Sequence, residues 1–293
     1  MNELQGAGVA LVTPFNTDGT VDYGSLGNLI DYQIKEGMDY LVVLGTTGET
    51  ATLDAEERKQ VWEFASTHVA GRLPLVAGIG GNNTREIVRQ VDQFSISGYC
   101  AILSVSPYYN KPTQEGIYQH YKAISEVSKL PIILYNVPGR TGSNILPTTA
   151  IRLAKACSNI VAIKEASGSF AQFGEIMRDK PSDFLLISGD DPATLPMMAL
   201  GAVGVISVVG NAYPKKVATL VKECADGNYT LARELHNVLL KITDLCFIEG
   251  NPCGAKYILK KQGIITTDEV RLPLVPVSPQ TQEAIEKEMA IIA

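Results

Sequence analysis

At 293 residues the chain is too long for a small module and long enough to bury the core of one α/β barrel. Its formal net charge of −6 and pI near 5.2, with 25 Lys and Arg residues scattered rather than clustered, argue against a surface that grips a phosphate backbone. Cys100, Cys157, Cys224, Cys246 and Cys253 form no C-x-x-C pair, and the opening stretch lacks both a basic start and a long apolar run, so a reduced, soluble, cytoplasmic protein is expected, with neither membrane nor nucleic acid as partner.

In chain order, eight short apolar runs alternate with longer segments of helical periodicity. They are VALVTPF from Val9, YLVVLG from Tyr40, LVAGIG from Leu75, YCAILSVS from Tyr99, PIILYN from Pro131, IVAIK from Ile160, FLLISG from Phe184 and VGVISV from Val203. Such alternation predicts a parallel sheet covered by helices, and eight strands are what a closed (β/α)8 TIM barrel needs. Asp54 with Glu57 three residues on predicts a capped helix carrying Val61, Phe64 and Val69 on one face, and Pro147 and Pro214 predict two further helix starts. A doubly wound nucleotide-binding sheet is disfavoured, because no G-x-G-x-x-G follows the first run. Beyond Asp226-Gly227-Asn228 the strand signal stops. Two or three helical stretches follow, with turn chemistry at Asn251-Pro252 and a proline-rich segment over 272–279. The expected division is a catalytic barrel over 1–227 and a C-terminal helical region over 228–293.

In such a barrel the chemistry gathers where strands end, so the polar residues closing each run carry the information. Lys164 continues the apolar run Ile160–Ile163 directly. A lysine carried into a low-dielectric interior loses its proton more readily, and the neutral amine attacks carbonyls; a solvated lysine beyond a strand is the plain alternative. Tyr135 and Tyr109 offer phenolic hydroxyls for proton transfer, with Thr46 able to link them, although buried aromatics of this kind are more often simply core. The turn Thr46-Thr47-Gly48 sets amides and hydroxyls beside a helix start, a seat for a small carboxylate or merely a loop cap. Arg140, on the Pro/Gly-stiffened loop after Tyr135, has the fork to grip a second carboxylate.

The three histidines, His68, His120 and His236, share no ligand spacing, so no metal and no cofactor is expected. Asp190 and Asp191 with Glu165 form the one set suited to Mg²⁺ at the mouth. Helix capping after the seventh strand is the plainer role for these aspartates, since Pro192 follows. A keto acid is activated by a divalent metal or by a lysine-derived iminium, and these residues favour the iminium.

Together GTTGE from Gly45, SPYYNKP from Ser106, YNVPGRTG from Tyr135, IKEASG from Ile163 and SGDD from Ser188 resemble the dihydrodipicolinate synthase branch of the N-acetylneuraminate lyase family. The match runs in order along nearly the whole chain. The resemblance implies condensation of pyruvate with aspartate β-semialdehyde to 4-hydroxy-tetrahydrodipicolinate, on the route to diaminopimelate and lysine. It assigns the Schiff base to Lys164, proton passage to Tyr135, and the relay to Thr46 with Tyr109. Thr47 would hold the pyruvate carboxylate and Arg140 that of the aldehyde. Gly189 would line the pocket, and Ile206 would supply a backbone carbonyl near the lysine. It also implies a tight dimer across which Tyr109 reaches, two dimers forming a homotetramer. Relatives acting on sugar acids such as N-acetylneuraminate or 2-keto-3-deoxygluconate are the alternative, and they usually lack the loop arginine. Asn82, Glu86 and Tyr108 match the lysine-binding site of feedback-sensitive members, whereas Ala55 and Arg58 depart from it, so weak or absent lysine inhibition is expected. Cys253-Gly254 replaces the family's usual apolar-proline step after Asn251-Pro252, which puts the local helix geometry in question.

Overall fold

The computed structural model describes residues 2–292. Its eight strands are β1 Gly6–Ala10, β2 Tyr40–Val43, β3 Leu75–Gly78, β4 Tyr99–Val105, β5 Ile132–Asn136, β6 Ile160–Glu165, β7 Leu185–Ser188 and β8 Gly204–Ser207. They pair in parallel in chain order, and β8 returns to β1 from Gly6↔Gly204 to Val9↔Ser207, closing a TIM barrel. Between and after the strands run α1 Tyr23–Lys35, α2 Ala55–Val69, α3 Thr84–Gln93, α4 Gln114–Val127, the one-turn α5 Pro138–Thr141, α6 Pro147–Ala156, α7 Phe170–Asp179, α8 Thr194–Ala199 and α9 Pro214–Ala225. Beyond them come α10 Tyr229–Phe247, α11 Cys253–Lys261 and α12 Pro279–Ile292.

The predicted helix starts are realised chemically. Asp54 and Glu57 form a reciprocal capping box at the head of α2, while Pro147 and Pro214 occupy the first turns of α6 and α9. Seven apolar runs begin within one residue of a strand; the first does not. β1 starts at Gly6, and the stretch from Leu11 to Phe15 leaves the sheet as a buried loop in which Val12 N donates to Asn211 Oδ1 at 3.1 Å. Gly6-Ala7-Gly8 lacks the β-branched side chains that mark a strand, so the adjoining apolar loop drew the assignment forward.

Alternation along the strands builds two cores. Val9, Leu41, Leu134 and Ile163 pack outward against the helices, whereas Ala10, Val42, Ile133, Ile187 and Ile206 fill the barrel interior. The C-terminal helices do not stand apart from this body: α10 packs along α9, and α12 packs on α10. The Cys253-Gly254 step has a steric reason, because a Cβ on Gly254 would lie 2.5 Å from Leu245 O and 2.8 Å from Cys246 Cα, where α11 crosses the end of α10. All five cysteines are free thiols. Among the described residues no helix is long and apolar enough to cross a membrane.

Candidate active site

Lys164 reaches the barrel interior through a slip in register. β5 pairs Ile132 with Ile160 but Ile133 with Ala162, so Val161 is the extra residue, and both Val161 and Ala162 face the interior. Strict alternation from the outward Ile160 would have turned Lys164 outward; the extra residue turns it in. Its side chain is 4% exposed, and Nζ lies 4.2 Å from the ring centroid of Tyr135, its register partner on β5. Gly189 makes room for it, since a Cβ there would meet Lys164 Cγ and Cε at 3.0 Å. Ile206 sits in the same interior cluster as Tyr135.

A cavity of about 520 Å³ opens at this end of the barrel, with Thr46, Tyr135, Arg140, Tyr108 and Asn251 in its walls. Thr46 is exposed and Thr47 buried. Their amides do not open α2, which starts only at Ala55; they belong to a short 3-10 turn, Thr46–Gly48, between Leu44 and Glu49 held at φ 60° and 53°. Asn251 Nδ2 donates to Thr47 Oγ1 at 2.9 Å, so the C-terminal region seats the loop expected to receive a carboxylate. Arg140 lies within the one-turn α5, exposed and in the cavity wall.

Three expectations are corrected by the geometry. Glu165, which follows Lys164, turns out of the mouth and accepts hydrogen bonds from Asn136 behind the strands. Asp191 caps the turn after β8 rather than the helix after β7: its carboxylate accepts from Ser207 Oγ at 2.5 Å, Val208 N at 2.9 Å and Val209 N at 3.2 Å. The suggested Mg²⁺ trio is therefore not assembled, and among the described residues no three His, Cys, Asp or Glu side chains gather as ligands would. Tyr109, which the resemblance assigns to the site of a second copy, makes no hydrogen bond to Thr46 or Tyr135 of its own chain. Tyr109 is 87% exposed, sits at φ 74°, and is tethered by its backbone N to Thr141 O at 3.4 Å.

Burial pushes the carboxyls of Asp190 and Asp191 above the usual range; Asp191 adds to the rise at Asp190, and the Lys164 charge draws both back.

With this geometry in place, the comparisons with known proteins fall into line. A profile of the dihydrodipicolinate synthetase family matches residues 3–292. The chain belongs to that family. It is 52% identical over 284 residues to the 4-hydroxy-tetrahydrodipicolinate synthase of Parabacteroides distasonis, covering 97% of this chain and 95% of that one. The dihydrodipicolinate synthase structure from Aquifex aeolicus superposes with a TM-score of 0.95 at 43% identity, covering 98% of each chain. That from Thermotoga maritima gives 0.96 at 42%, covering 99% of each.

The residues that the resemblance sets at a lysine-binding site lie near one another. Asn82, Glu86 and Tyr108 line the same cavity as Thr46 and Tyr135, with Asn82 Nδ2 donating to Tyr108 O at 3.3 Å. Arg58 also lines it, its guanidinium donating to Leu53 O at 2.9 Å, while Ala55 lies exposed at the start of α2. Sequence reasoning missed Asn251 as a cavity residue, seeing only its turn chemistry. It also missed the buried partners of Glu165: strand alternation says that a Lys-Glu pair splits between the two faces, but the slip at Val161 decides which of the two faces the helices.

Proposed function

We propose that the chain condenses pyruvate with L-aspartate 4-semialdehyde to 4-hydroxy-tetrahydrodipicolinate, a step of lysine and diaminopimelate biosynthesis, through a Schiff base on Lys164. The observation that carries this reading is the lysine itself: a buried amine in the barrel interior, against Tyr135 and under a cavity bordered by Arg140. In chemical terms the amine adds to the keto carbon and water leaves, giving an iminium that serves as electron sink. Loss of a proton from the methyl group then yields an enamine, whose carbon attacks the aldehyde. The amino group of the second substrate next attacks the imine carbon, closing the ring and expelling Lys164.

In this reading Tyr135 moves protons at the imine, Thr47 and the Thr46 turn receive the pyruvate carboxylate, and Arg140 receives the carboxylate of the semialdehyde. Gly189 keeps space beside the lysine, and the Ile206 carbonyl faces the reacting centre. Tyr109, exposed and strained on its own chain, completes the relay of a second copy, and two such dimers make a homotetramer. Residues 1–227 act as the catalytic barrel and 228–293 as a helical region that seats it. The working compartment is the cytoplasm.

Reduction with borohydride in the presence of pyruvate should add a single adduct at Lys164, mapped by mass spectrometry, and Lys164→Ala should abolish it. Turnover with aspartate semialdehyde should exceed that with N-acetylmannosamine or glyceraldehyde; preference for a sugar aldehyde would move the chain to another branch of the family.

Feedback is the second proposal of this reading. Arg58 places a cation in the wall that holds Asn82, Glu86 and Tyr108, where it opposes the ammonium group of lysine. Added lysine should therefore leave initial rates nearly unchanged, and strong inhibition in a rate titration would refute the argument from Arg58.

A further inference from the structure

Tyr135 and Lys164 face each other in the register of β5 and β6, and the next pair along the strands is Asn136 with Glu165. The first pair points into the barrel and the second points back towards the helices. Glu165 is fully buried, and the partners of its carboxylate are neutral donors. Asn136 Nδ2 lies 3.1 and 3.0 Å from its two oxygens, Gln172 Nε2 donates at 2.8 Å and Ser167 N at 2.7 Å. Asn136 is occupied at both ends, accepting from Ile145 N at 2.9 Å and donating to Asn144 Oδ1 at 2.7 Å. Asn144 in turn donates to Gln172 Oε1 at 2.9 Å and accepts at its carbonyl from Gln114 Nε2 at 2.8 Å. One network thus joins β5, β6, α7, α4 and the segment that follows the Arg140 helix.

We propose that Glu165 and Asn136 are positioning residues, a polar lock behind the sheet that fixes the Lys164 amine against Tyr135 and pins the loop bearing Arg140. An isolated buried carboxylate is costly for folding alone, and an apolar pair of similar volume would close the same gap more cheaply. What it provides is geometry. Hydrogen bonds from a neighbouring strand, a loop and a helix converge on one group, one residue away from each of two reacting side chains. The lock lies outside the substrate cavity, so its effect is on the placement of the amine rather than on substrate contacts.

This inference rests on Lys164 forming the imine, and the test separates the two ideas. Rapid-quench borohydride trapping of pyruvate is measured on the intact assembled protein, for wild type, Glu165→Gln, Asn136→Asp, the double variant and Gln172→Ala. If wild type traps nothing, the imine reading fails. If wild type traps, Glu165→Gln and Asn136→Asp should each slow trapping and kcat about tenfold or more, with the pyruvate KM within about twofold and a cooperative melt retained. The double variant should recover at least half of the lost rate, because the amide introduced on β6 would then donate to the carboxylate introduced on β5, restoring the pair with its roles exchanged. Trapping at the wild-type rate in folded single variants overturns the proposal, as does a folded double variant no faster than the singles. Should the singles fail to fold, Gln172→Ala decides: it removes one donor and should slow trapping several-fold, and an unchanged rate overturns the lock.

Discussion

Glu165 experiences two opposed demands: burial raises its proton affinity, while its donors lower it, and burial is the larger. Its carboxyl therefore holds its proton in the native state to a higher pH than in the unfolded chain, whose ordinary value is 4.5. Between those two pKa values the native state binds more protons than the unfolded state, so stability falls as pH rises through the window. The contribution is full below 4.5 and gone above the native value. Glu165→Gln cannot titrate. The stability advantage of wild type over that variant, read from urea unfolding, should shrink as pH is raised from below 4.5 to neutrality. A gap that widens with pH would mean that the donors outweigh burial.

At the scale of elements, α11 and the segment after it act as a clasp on the GTTGE turn. Lys256 and Glu49 form an ion pair at 2.5 Å with both side chains essentially inaccessible, and Lys256 Nζ also donates to Glu269 O at 2.8 Å. Two cations approach the Phe15 ring, Lys256 Nζ at 4.2 Å and Arg271 Cζ at 4.5 Å from its centroid. Arg271 N donates to the second oxygen of Glu49 at 2.9 Å, and its guanidinium holds Glu57 in a two-pronged pair at 2.5 and 2.8 Å. Burial pulls the Lys256 ammonium below its ordinary range, with Glu49 opposing that pull. Removing one partner strands the other charge, so Lys256→Met should cost about 3–5 kcal/mol in urea unfolding, and Glu49→Gln with Lys256→Met should recover much of it. Equal loss in both would show that packing, not charge, governs the site.

Legibility divides along these same elements. Strand count and helix starts were readable because they depend on local composition and caps, and Lys164 and Tyr135 because they end apolar runs. Which way Lys164 points was not, since one extra residue at Val161 reverses the facing of everything after it. The clasp was unreadable for another reason: Glu49 and Lys256 are 207 residues apart, and no local pattern pairs them. Asp191 shows the same limit, its carboxylate serving a turn 17 residues downstream rather than its own helix.

At the scale of the whole molecule, the exposed Tyr109 is the feature that a single chain does not explain. A bulky residue in the left-handed region carries a strain of about 1–3 kcal/mol, and its ring gains nothing from burial here. Such strain persists where it aims a side chain at something, and on this chain the ring faces solvent. If Tyr109 serves the site of a second copy, two defects placed on different subunits should compensate. In a dimer pairing Lys164→Ala with Tyr109→Phe, one site keeps its own lysine and receives an intact tyrosine, while the other site has neither. Random reassociation of equal amounts makes half of the dimers mixed, so one quarter of all sites should work, and turnover should rise from near zero to about a quarter of wild type. If Tyr109 serves its own chain, every site in the mixture carries one defect and mixing restores nothing, whatever the oligomeric state.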